Sequence, residues 1–197
     1  FYNKMGDLAL KNKELDLTVD CYRKVLEQNP QNREVMIKLA TVLQTYFPEN
    51  TDDAIDCYEK LLEFGLDTAQ IYYELGHLYL QKEDKINSIS AFKLAVDNDC
   101  ENPFYNNSLA YAYSKAELYD DAIEHYQKAI SINPDKEWTS IVCQALGSIY
   151  AEIKGNIEAG ISTYQAGIIL DPNNYELYLS LGDTYMAAYD LDNAIRT

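Results

Sequence analysis

The chain repeats one amphipathic pattern of apolar and polar positions. In LYDDAIEHYQKAISINP, residues 118–134, Ala122, Tyr126 and Ala129 are spaced by four and three, which places them on one face of a helix. Small residues on this face leave room for the aromatic side chain of a partner helix. Related segments are NTDDAIDCYEKLLEFGL at 50–66, NIEAGISTYQAGIILDP at 156–172, LTVDCYRKVLEQNP ending at Pro30 and NSISAFKLAVDNDC ending at Cys100.

A second pattern precedes these segments. Leu146 is followed by Gly147 and, four residues after the Leu, by Tyr150. The Leu and the Tyr therefore share a helix face, and the glycine lets a neighbouring helix approach closely. The same order recurs at Leu75-Gly76 with Tyr79, Leu109-Ala110 with Tyr113 and Leu181-Gly182 with Tyr185, and in weaker form at Met5-Gly6 with Ala9 and Leu39-Ala40 with Leu43.

The two patterns alternate with a period of about 34 residues. Large-x-x-Leu-Gly-x-x-Tyr, then Ala-x-x-x-aromatic-x-x-Ala, then Pro, resembles the tetratricopeptide repeat over the whole chain. The resemblance implies an all-α, right-handed superhelical solenoid of antiparallel helix pairs. It divides the chain as a single array of five full repeats and a partial sixth, at about 1–32, 33–68, 69–102, 103–136, 137–174 and 175–197.

Several local expectations follow from this template. Leu in place of Gly147 or Gly182 should overpack the helix pair, at a cost of about 1–3 kcal/mol. The pairs Asp52-Asp53 and Asp120-Asp121 are predicted to begin the second helix of their repeats, where carboxylates meet the positive end of the helix dipole. Asn133-Pro134 and Asp171-Pro172 are predicted to end that helix.

Three insertions lengthen individual repeats. YFPEN at 46–50 and EIKGN at 152–156 are predicted to extend the turn inside a repeat. DKEWT at 135–139 is predicted to lengthen the link between the fourth and fifth repeats. It carries the single tryptophan, Trp138, which we expect to pack over that link.

The net charge of the chain limits which classes of molecule it is expected to bind. Sixteen Lys and Arg against 32 Asp and Glu give a net charge of −16, shared evenly between the two halves. Such a surface disfavours nucleic acid and anionic membranes and favours a neutral or basic polypeptide, although net charge also serves solubility alone. No apolar run approaches the roughly 18 residues of a membrane span. The chain begins with Phe1 and ends within the repeat motif, so we expect it to be part of a longer protein.

No pattern of catalytic or metal-binding residues is recognisable. The chain lacks H-E-x-x-H, a phosphate-binding glycine loop and G-x-S-x-G, so we predict no enzyme activity and no cofactor or metal. Its cysteines are far apart and form no C-x-x-C. We interpret Cys21, Cys57, Cys100 and Cys143 as small apolar filler, kept reduced in a cytoplasmic compartment.

Binding is the remaining route to function. The family resemblance implies that the first helix of each repeat lines a concave groove for peptides or protein surfaces. The groove positions, transferred repeat by repeat, are Asn3, Asp7, Ile37, Lys38, Thr41, Tyr73, His77, Asn107, Tyr111, Gln144, Ser148, Leu179 and Asp183.

The groove composition excludes one specialisation of the family. Only Lys4 and Lys38 supply positive charge, so we expect no binding of the acidic C-terminus of heat-shock chaperones. Tyr73 and Tyr111 are either contact platforms for a partner or packing residues against a neighbouring repeat. His77 is either a pH-sensitive contact or an ordinary polar groove residue.

We therefore expect a non-catalytic scaffold or adaptor that binds a neutral or basic polypeptide in its groove. Two alternatives stay open: a regulatory or substrate-recruiting region of a larger enzyme or assembly, and a self-associating structural module.

Overall fold

The computed structural model describes residues 1–132 and 135–197, in which all regular structure is helical. The α-helices are α1 (Tyr2–Lys11), α2 (Leu15–Gln28), α3 (Arg33–Tyr46), α4 (Thr51–Glu63), α5 (Ala69–Gln81), α6 (Lys85–Asn98), α7 (Pro103–Lys115), α8 (Tyr119–Ile132), α9 (Lys136–Ser148), α10 (Ile157–Leu170), α11 (Tyr175–Ala187) and α12 (Leu191–Arg196). A 3-10 helix (Pro48–Asn50) and a π-helical turn (Ile149–Ile153) follow α3 and α9. The prediction of an all-α protein is confirmed.

The helices pack as consecutive pairs within two compact units, Phe1–Asn98 and Asp99–Thr197. In the first unit α1 packs on α2, α3 on α4 and α5 on α6, and α2–α3 and α4–α5 contacts join the pairs. In the second unit α7 packs on α8, α9 on α10 and α11 on α12, joined through α8–α9 and α10–α11. The repeat boundaries drawn from the sequence stay a prediction.

Small polar residues start several of the helices. The side chain of Asn32 accepts a hydrogen bond from Val35 N, and that of Asn156 accepts one from Ala159 N, each at 3.1 Å. These bonds satisfy backbone donors that the first helical turn leaves unpaired. The acidic pairs lie in the first turns of α4 and α8, as predicted. Helix α10 ends at Leu170, directly before Asp171-Pro172 as predicted, whereas Asn133-Pro134 lies outside the described residues.

A glycine of the first helix meets a buried ring of the second helix in three pairs. A Cβ added to Gly6 would lie 2.6 Å from Tyr22, one added to Gly76 2.6 Å from Phe92, and one added to Gly147 2.4 Å from Tyr164. All three rings are fully buried. The expected overpacking at Gly147 therefore has a structural cause.

The same expectation stays untested for Gly182. Among the described residues nothing lies within 4 Å of a Cβ added there. In the other pairs the ring lies 16 or 17 residues after the glycine, and that position falls beyond Thr197, the last residue given. Within the described residues, a side chain at residue 182 has space that residue 147 lacks.

The prediction for DKEWT is also wrong, because these residues begin α9 instead of lengthening a link. The Asp135 side chain accepts a hydrogen bond from Trp138 N at 2.8 Å and caps the helix. Asp135 precedes Leu146 by 11 residues, whereas the cap Asn102 precedes Leu109 by 7, so the insertion becomes about one helical turn. Trp138 packs edge-on against Phe104 of the preceding helix pair, at 5.3 Å between ring centroids, which confirms its expected role.

The other two insertions lie inside helix pairs, as predicted. YFPEN includes the 3-10 helix after α3. EIKGN begins with the last two residues of the π-helical turn, and its Gly155 adopts a φ of +65°, in the left-handed region that glycine enters without a Cβ clash.

Polar contacts also join successive pairs. In the Leu-Gly-x-x-Tyr pattern, the tyrosine hydroxyl forms a hydrogen bond with the second helix of the preceding pair. Tyr79 OH donates to Glu59 Oε1 at 2.7 Å. The other two such bonds are Gln127 Nε2 to Tyr150 OH at 2.9 Å and Gln165 Nε2 to Tyr185 OH at 3.1 Å. The acidic pairs have a second role here, in the ion pairs Asp53–Arg23, Asp52–Lys82 and Asp120–Lys154. Since these charges are exposed, each pair adds little stability.

Three of the four cysteines are core residues. Cys21, Cys57 and Cys143 are buried free thiols, and burial raises the pKa of Cys57 to about 11. The filler interpretation is wrong for Cys100, which is exposed because it lies in the turn between α6 and α7.

The glycine contacts give a first test of the packing. Gly147→Ala should lower the free energy of unfolding by about 1–3 kcal/mol, because its Cβ meets the buried Tyr164 ring. Gly182→Ala is the matched control and should raise it by about 0.5–1 kcal/mol, since alanine favours helix where space is open. Urea unfolding followed by circular dichroism measures both, and equal effects at the two sites would contradict the packing described.

Ser88 gives a second test. Its buried hydroxyl has no hydrogen-bond partner among the described residues, and Ala54 and Ala122 lie 34 residues before and after it. Ser88→Ala should therefore raise the free energy of unfolding by about 1 kcal/mol, since a buried unpaired hydroxyl is costly. Ser90→Ala, at an exposed site on the same helix, should change it by less than about 0.5 kcal/mol. A destabilised Ser88→Ala protein would show that the hydroxyl is paired.

Candidate functional site

The predicted groove residues lie on α1, α3 and α5 of the first unit and on α7, α9 and α11 of the second. We call these two surfaces the first-helix faces, one for each unit. The two faces differ in charge, hydrogen bonding and exposure.

Lys38 is the centre of an ion-pair network on the first unit's face. Its Nζ donates to Asp7 Oδ1 at 2.9 Å, forms a salt bridge with Glu34 Oε1 at 2.8 Å and lies 3.5 Å from Asn3 Oδ1. Asp7 also accepts a hydrogen bond from Tyr22 OH at 2.8 Å. The bond from Lys38 lowers the pKa of Asp7, and the bonds to Glu34 and Asp7 raise the pKa of Lys38 to about 12. Lys38, which was predicted from the sequence to bind a partner, is therefore already paired within the chain.

A second network joins α3 to α5 on the same face. Gln44 Nε2 donates to Glu74 Oε2 at 2.9 Å, Gln70 Nε2 donates to Glu74 Oε1 at 2.5 Å, and Tyr58 OH donates to Gln44 Oε1 at 3.3 Å. Among the predicted residues, Thr41 donates its hydroxyl to the backbone oxygen of Ile37 at 2.9 Å, and Ile37 is partly exposed. The polar groups of this face are largely bonded to one another.

Tyr73 and His77 form an aromatic cluster with Phe92. The Tyr73 and His77 rings are edge-to-face at 4.5 Å, and they lie 5.9 and 5.0 Å from the Phe92 ring. Both side chains are half-buried. Burial lowers the pKa of His77, and the negative charge of Glu74 opposes this shift. The neutral imidazole is therefore favoured in the folded protein.

The second unit's face is more apolar and more exposed. Tyr111 is 45% exposed, with Lys115 Nζ 5.2 Å from its ring centroid, and Leu179 is 59% exposed. Leu179 and Asp183 line an open cleft of about 470 Å³ together with Tyr175, Met186 and Ile195. Asn107 and Gln144 are half-buried, and Ser148 Oγ lies 3.1 Å from Tyr164 OH.

One rule explains which predicted residues are engaged internally. In three first helices the residue after the glycine lies against the buried ring of the second helix: Asp7 with Tyr22, His77 with Phe92 and Ser148 with Tyr164. The nearly constant spacing in sequence between the glycine and that ring could have revealed these internal contacts.

Sequence reasoning also missed four exposed apolar residues at three- and four-residue spacings from groove positions: Phe104, Ile141, Tyr175 and Met186.

Residues 1–132 and 135–197 contain neither a metal-ion site nor a membrane-spanning helix. No group of three or more His, Cys, Asp or Glu side chains there is arranged to hold a metal ion. No helix in this part of the chain combines the length and the apolar character needed to cross a membrane.

Sequence profiles of the tetratricopeptide repeat match residues 1–32, 69–99 and 105–136. The chain belongs to the tetratricopeptide repeat family. The matched ranges contain the helix pairs α1–α2, α5–α6 and α7–α8, whose geometry is described above. Such repeats form protein–protein interaction modules, and the matches support this general role for the chain.

A similar sequence and two similar structures agree with this assignment. The general transcriptional corepressor ssn6 of Schizosaccharomyces pombe is 30% identical over 136 residues, which are 68% of this chain and 12% of the corepressor. The crystal structure of MamA is 25% identical with a TM-score of 0.78, over 87% of this chain and 96% of that one. YrrB, described as a tetratricopeptide repeat protein with an unusual peptide-binding site, is 19% identical with a TM-score of 0.75, over 89% and 88% of the two chains.

These likenesses confirm the predicted fold class, a solenoid of antiparallel helix pairs. At 19% identity, the YrrB structure supports the fold alone. The chain spans about an eighth of the length of the corepressor that it matches.

The aromatic cluster predicts how stability depends on pH. Because burial lowers the pKa of His77 in the folded state, its contribution is full above the ordinary pKa of about 6.5 and is lost as pH falls below that value. Between about pH 7.5 and pH 5, the free energy of unfolding should therefore fall less in His77→Gln than in the native chain. An NMR titration in the His125→Gln background, which leaves one imidazole, should give a midpoint below 6.5. A midpoint at or above 6.5 would contradict the burial effect.

Proposed function

We propose that the chain is a non-catalytic adaptor whose first-helix faces bind a polypeptide segment of a partner, with the main apolar contacts on the second unit. The observation that carries the proposal is the exposure of Tyr111 and Leu179 at predicted groove positions. An aromatic or aliphatic side chain held on a rigid helix supplies contact area at low entropic cost, which is typical of binding hot spots.

The chemistry of the partner is expected to be neutral or basic. The chain carries a net charge of −16, and its second half has fewer cations than the first. Lys38 is paired with Asp7 and Glu34, so a guest carboxylate would have to compete with two carboxylates already in place. This supports the expectation that acidic chaperone C-termini do not bind. Buried free thiols at Cys21, Cys57 and Cys143 support a reducing, cytoplasmic setting.

A second candidate function is supported by the corepressor likeness. The similar region is 12% of that protein, so repeats of this kind occur there as one part of a much longer chain. By analogy, this array would recruit partners to a larger assembly. Self-association is a third reading, and static light scattering over a concentration series tests it through a rise in mass.

A peptide selection tests the binding proposal. A display library of random dodecapeptides is selected on the immobilised chain, and the enriched peptides are resynthesised with a fluorescent label. Tyr111→Ala and Leu179→Ala should each weaken binding by about tenfold or more, because each removes an exposed apolar contact. Fluorescence anisotropy measures the dissociation constants.

The matched control is Ile169→Ala on second helix α10. Ile169 is 79% exposed but lies outside the first-helix faces, so its removal should leave affinity unchanged. Enriched peptides rich in Asp and Glu, or equal losses in all three variants, would contradict the proposal.

A further inference from the structure

The extra helical turn of α9 builds an apolar strip at the amino-terminal ends of the second unit's first helices. The strip consists of Phe104 at the start of α7, Trp138 and Ile141 in the first two turns of α9, and Tyr175 at the start of α11. Trp138 lies in the additional turn, whereas Phe104 and Ile141 precede the groove positions Asn107 and Gln144 by three residues. The insertion therefore adds Trp138 to an apolar surface that adjoins the predicted groove.

Two contacts hold the strip together. The Phe104 and Trp138 rings are edge-to-face at 5.3 Å between centroids, with an interplanar angle of 70°. Asn174 Nδ2 donates to Ser140 Oγ at 3.0 Å, which ties the residue before Tyr175 to the residue before Ile141. Helix α9 itself sets the positions of Trp138 and Ile141, three residues apart on one face.

The strip is exposed although it is apolar. Phe104 is 49% exposed, Ile141 61% and Tyr175 68%, and Trp138 is half-buried. By contrast, the rings that pair the helices, such as Tyr164, are fully buried. Exposed aromatic residues clustered on rigid helix ends are typical of interaction sites and are rarely left uncovered in working proteins.

Three exposed carboxylates lie close in sequence to members of the strip. Glu101, Glu137 and Glu176 are exposed, and each lies within three residues in sequence of a member of the strip. The nearby cation is Lys136. A carboxylate rim around an aromatic surface attracts Lys and Arg, and aromatic faces add a cation–π contribution.

We propose that the strip is a second docking site, which binds a basic polypeptide segment through one aliphatic or aromatic anchor flanked by Lys or Arg. The anchor packs on Trp138 and Ile141, and the basic groups pair with the carboxylate rim. Tyr175 and Leu179 line the same cleft, so at α11 the strip adjoins the groove contact and the proposal rests there on the proposed function. The anchor residues Trp138 and Ile141 lie on α9 and are tested apart from Tyr111 and Leu179.

Trp138 is the only tryptophan and reports directly on this site. The probes are three synthetic peptides of about ten residues, each with a central Leu-Leu pair flanked by Arg, by Ser or by Glu. The Arg-flanked peptide should shift Trp138 emission to shorter wavelength in a saturable titration. The Ser-flanked peptide should bind at least tenfold more weakly, and the Glu-flanked peptide should give no shift.

The variant Ile141→Asp separates anchoring from simple charge attraction. It adds a negative charge to the strip, so binding driven by charge alone would strengthen, whereas loss of the apolar anchor should weaken affinity at least tenfold. Ile169→Asp adds the same charge at an exposed position on α10 and should bind the Arg-flanked peptide at least as well as the native chain. Circular dichroism checks that both variants keep their helical content.

Four outcomes would overturn the proposal. They are an emission that does not shift with the Arg-flanked peptide, equal affinity in Ile141→Asp and Ile169→Asp, an equal response to the Glu-flanked peptide, and an emission shift that grows with protein concentration alone. The last outcome would show that a second copy of the chain covers the strip. In Tyr111→Ala the peptide response should stay unchanged, which distinguishes this site from the first-helix face.

Discussion

The contact between a glycine of one helix and a buried ring of the next organises three of the helix pairs. Because the ring lies less than 3 Å from where a Cβ would be, the two backbones approach closely at that level. Burying such a ring stabilises the fold by about 1.5–3 kcal/mol. The contact also fixes the rotation of the first helix, so in these three pairs the residue after the glycine faces the ring. The same packing that stabilises a pair therefore decides which side chains remain for a partner.

Polar contacts between helix pairs align neighbouring pairs, but they contribute little to the free energy of unfolding. Exposed ion pairs such as Arg23–Asp53 are weak in water, and hydrogen bonds such as Tyr79–Glu59 contribute little net energy beyond their alignment. The apolar cores beneath them supply the driving force, as expected for stacked repeats that contact their neighbours. The polar surface can therefore differ between repeats without loss of the fold. The two first-helix faces do differ in this way, in charge, hydrogen bonding and exposure.

The sequence predicted the helical pairs, their acidic first turns and the glycine contacts, because each depends on residues close together in the chain or at a fixed spacing. It misjudged features that depend on a distant neighbour. Asp7 and Lys38 are 31 residues apart, so their pairing was not visible in either helix alone. The DKEWT insertion showed that residues were added, and only the hydrogen bond from Trp138 N to Asp135 decided that they form helix.

The difference between the two faces has a consequence for specificity. On the first unit, a charged guest must displace Asp7 or Glu34 from Lys38, or Gln44 and Gln70 from Glu74. Its binding free energy is then reduced by the free energy of the internal bonds that it breaks. On the second unit, a guest side chain that covers Leu179 or Tyr111 removes apolar area from water and breaks no ion pair. Affinity should therefore come from the second unit. Under the proposed function, the bonded polar networks of the first unit would act mainly by rejecting guests whose charges cannot match them, which is how a repeat array with one fold could discriminate among partners.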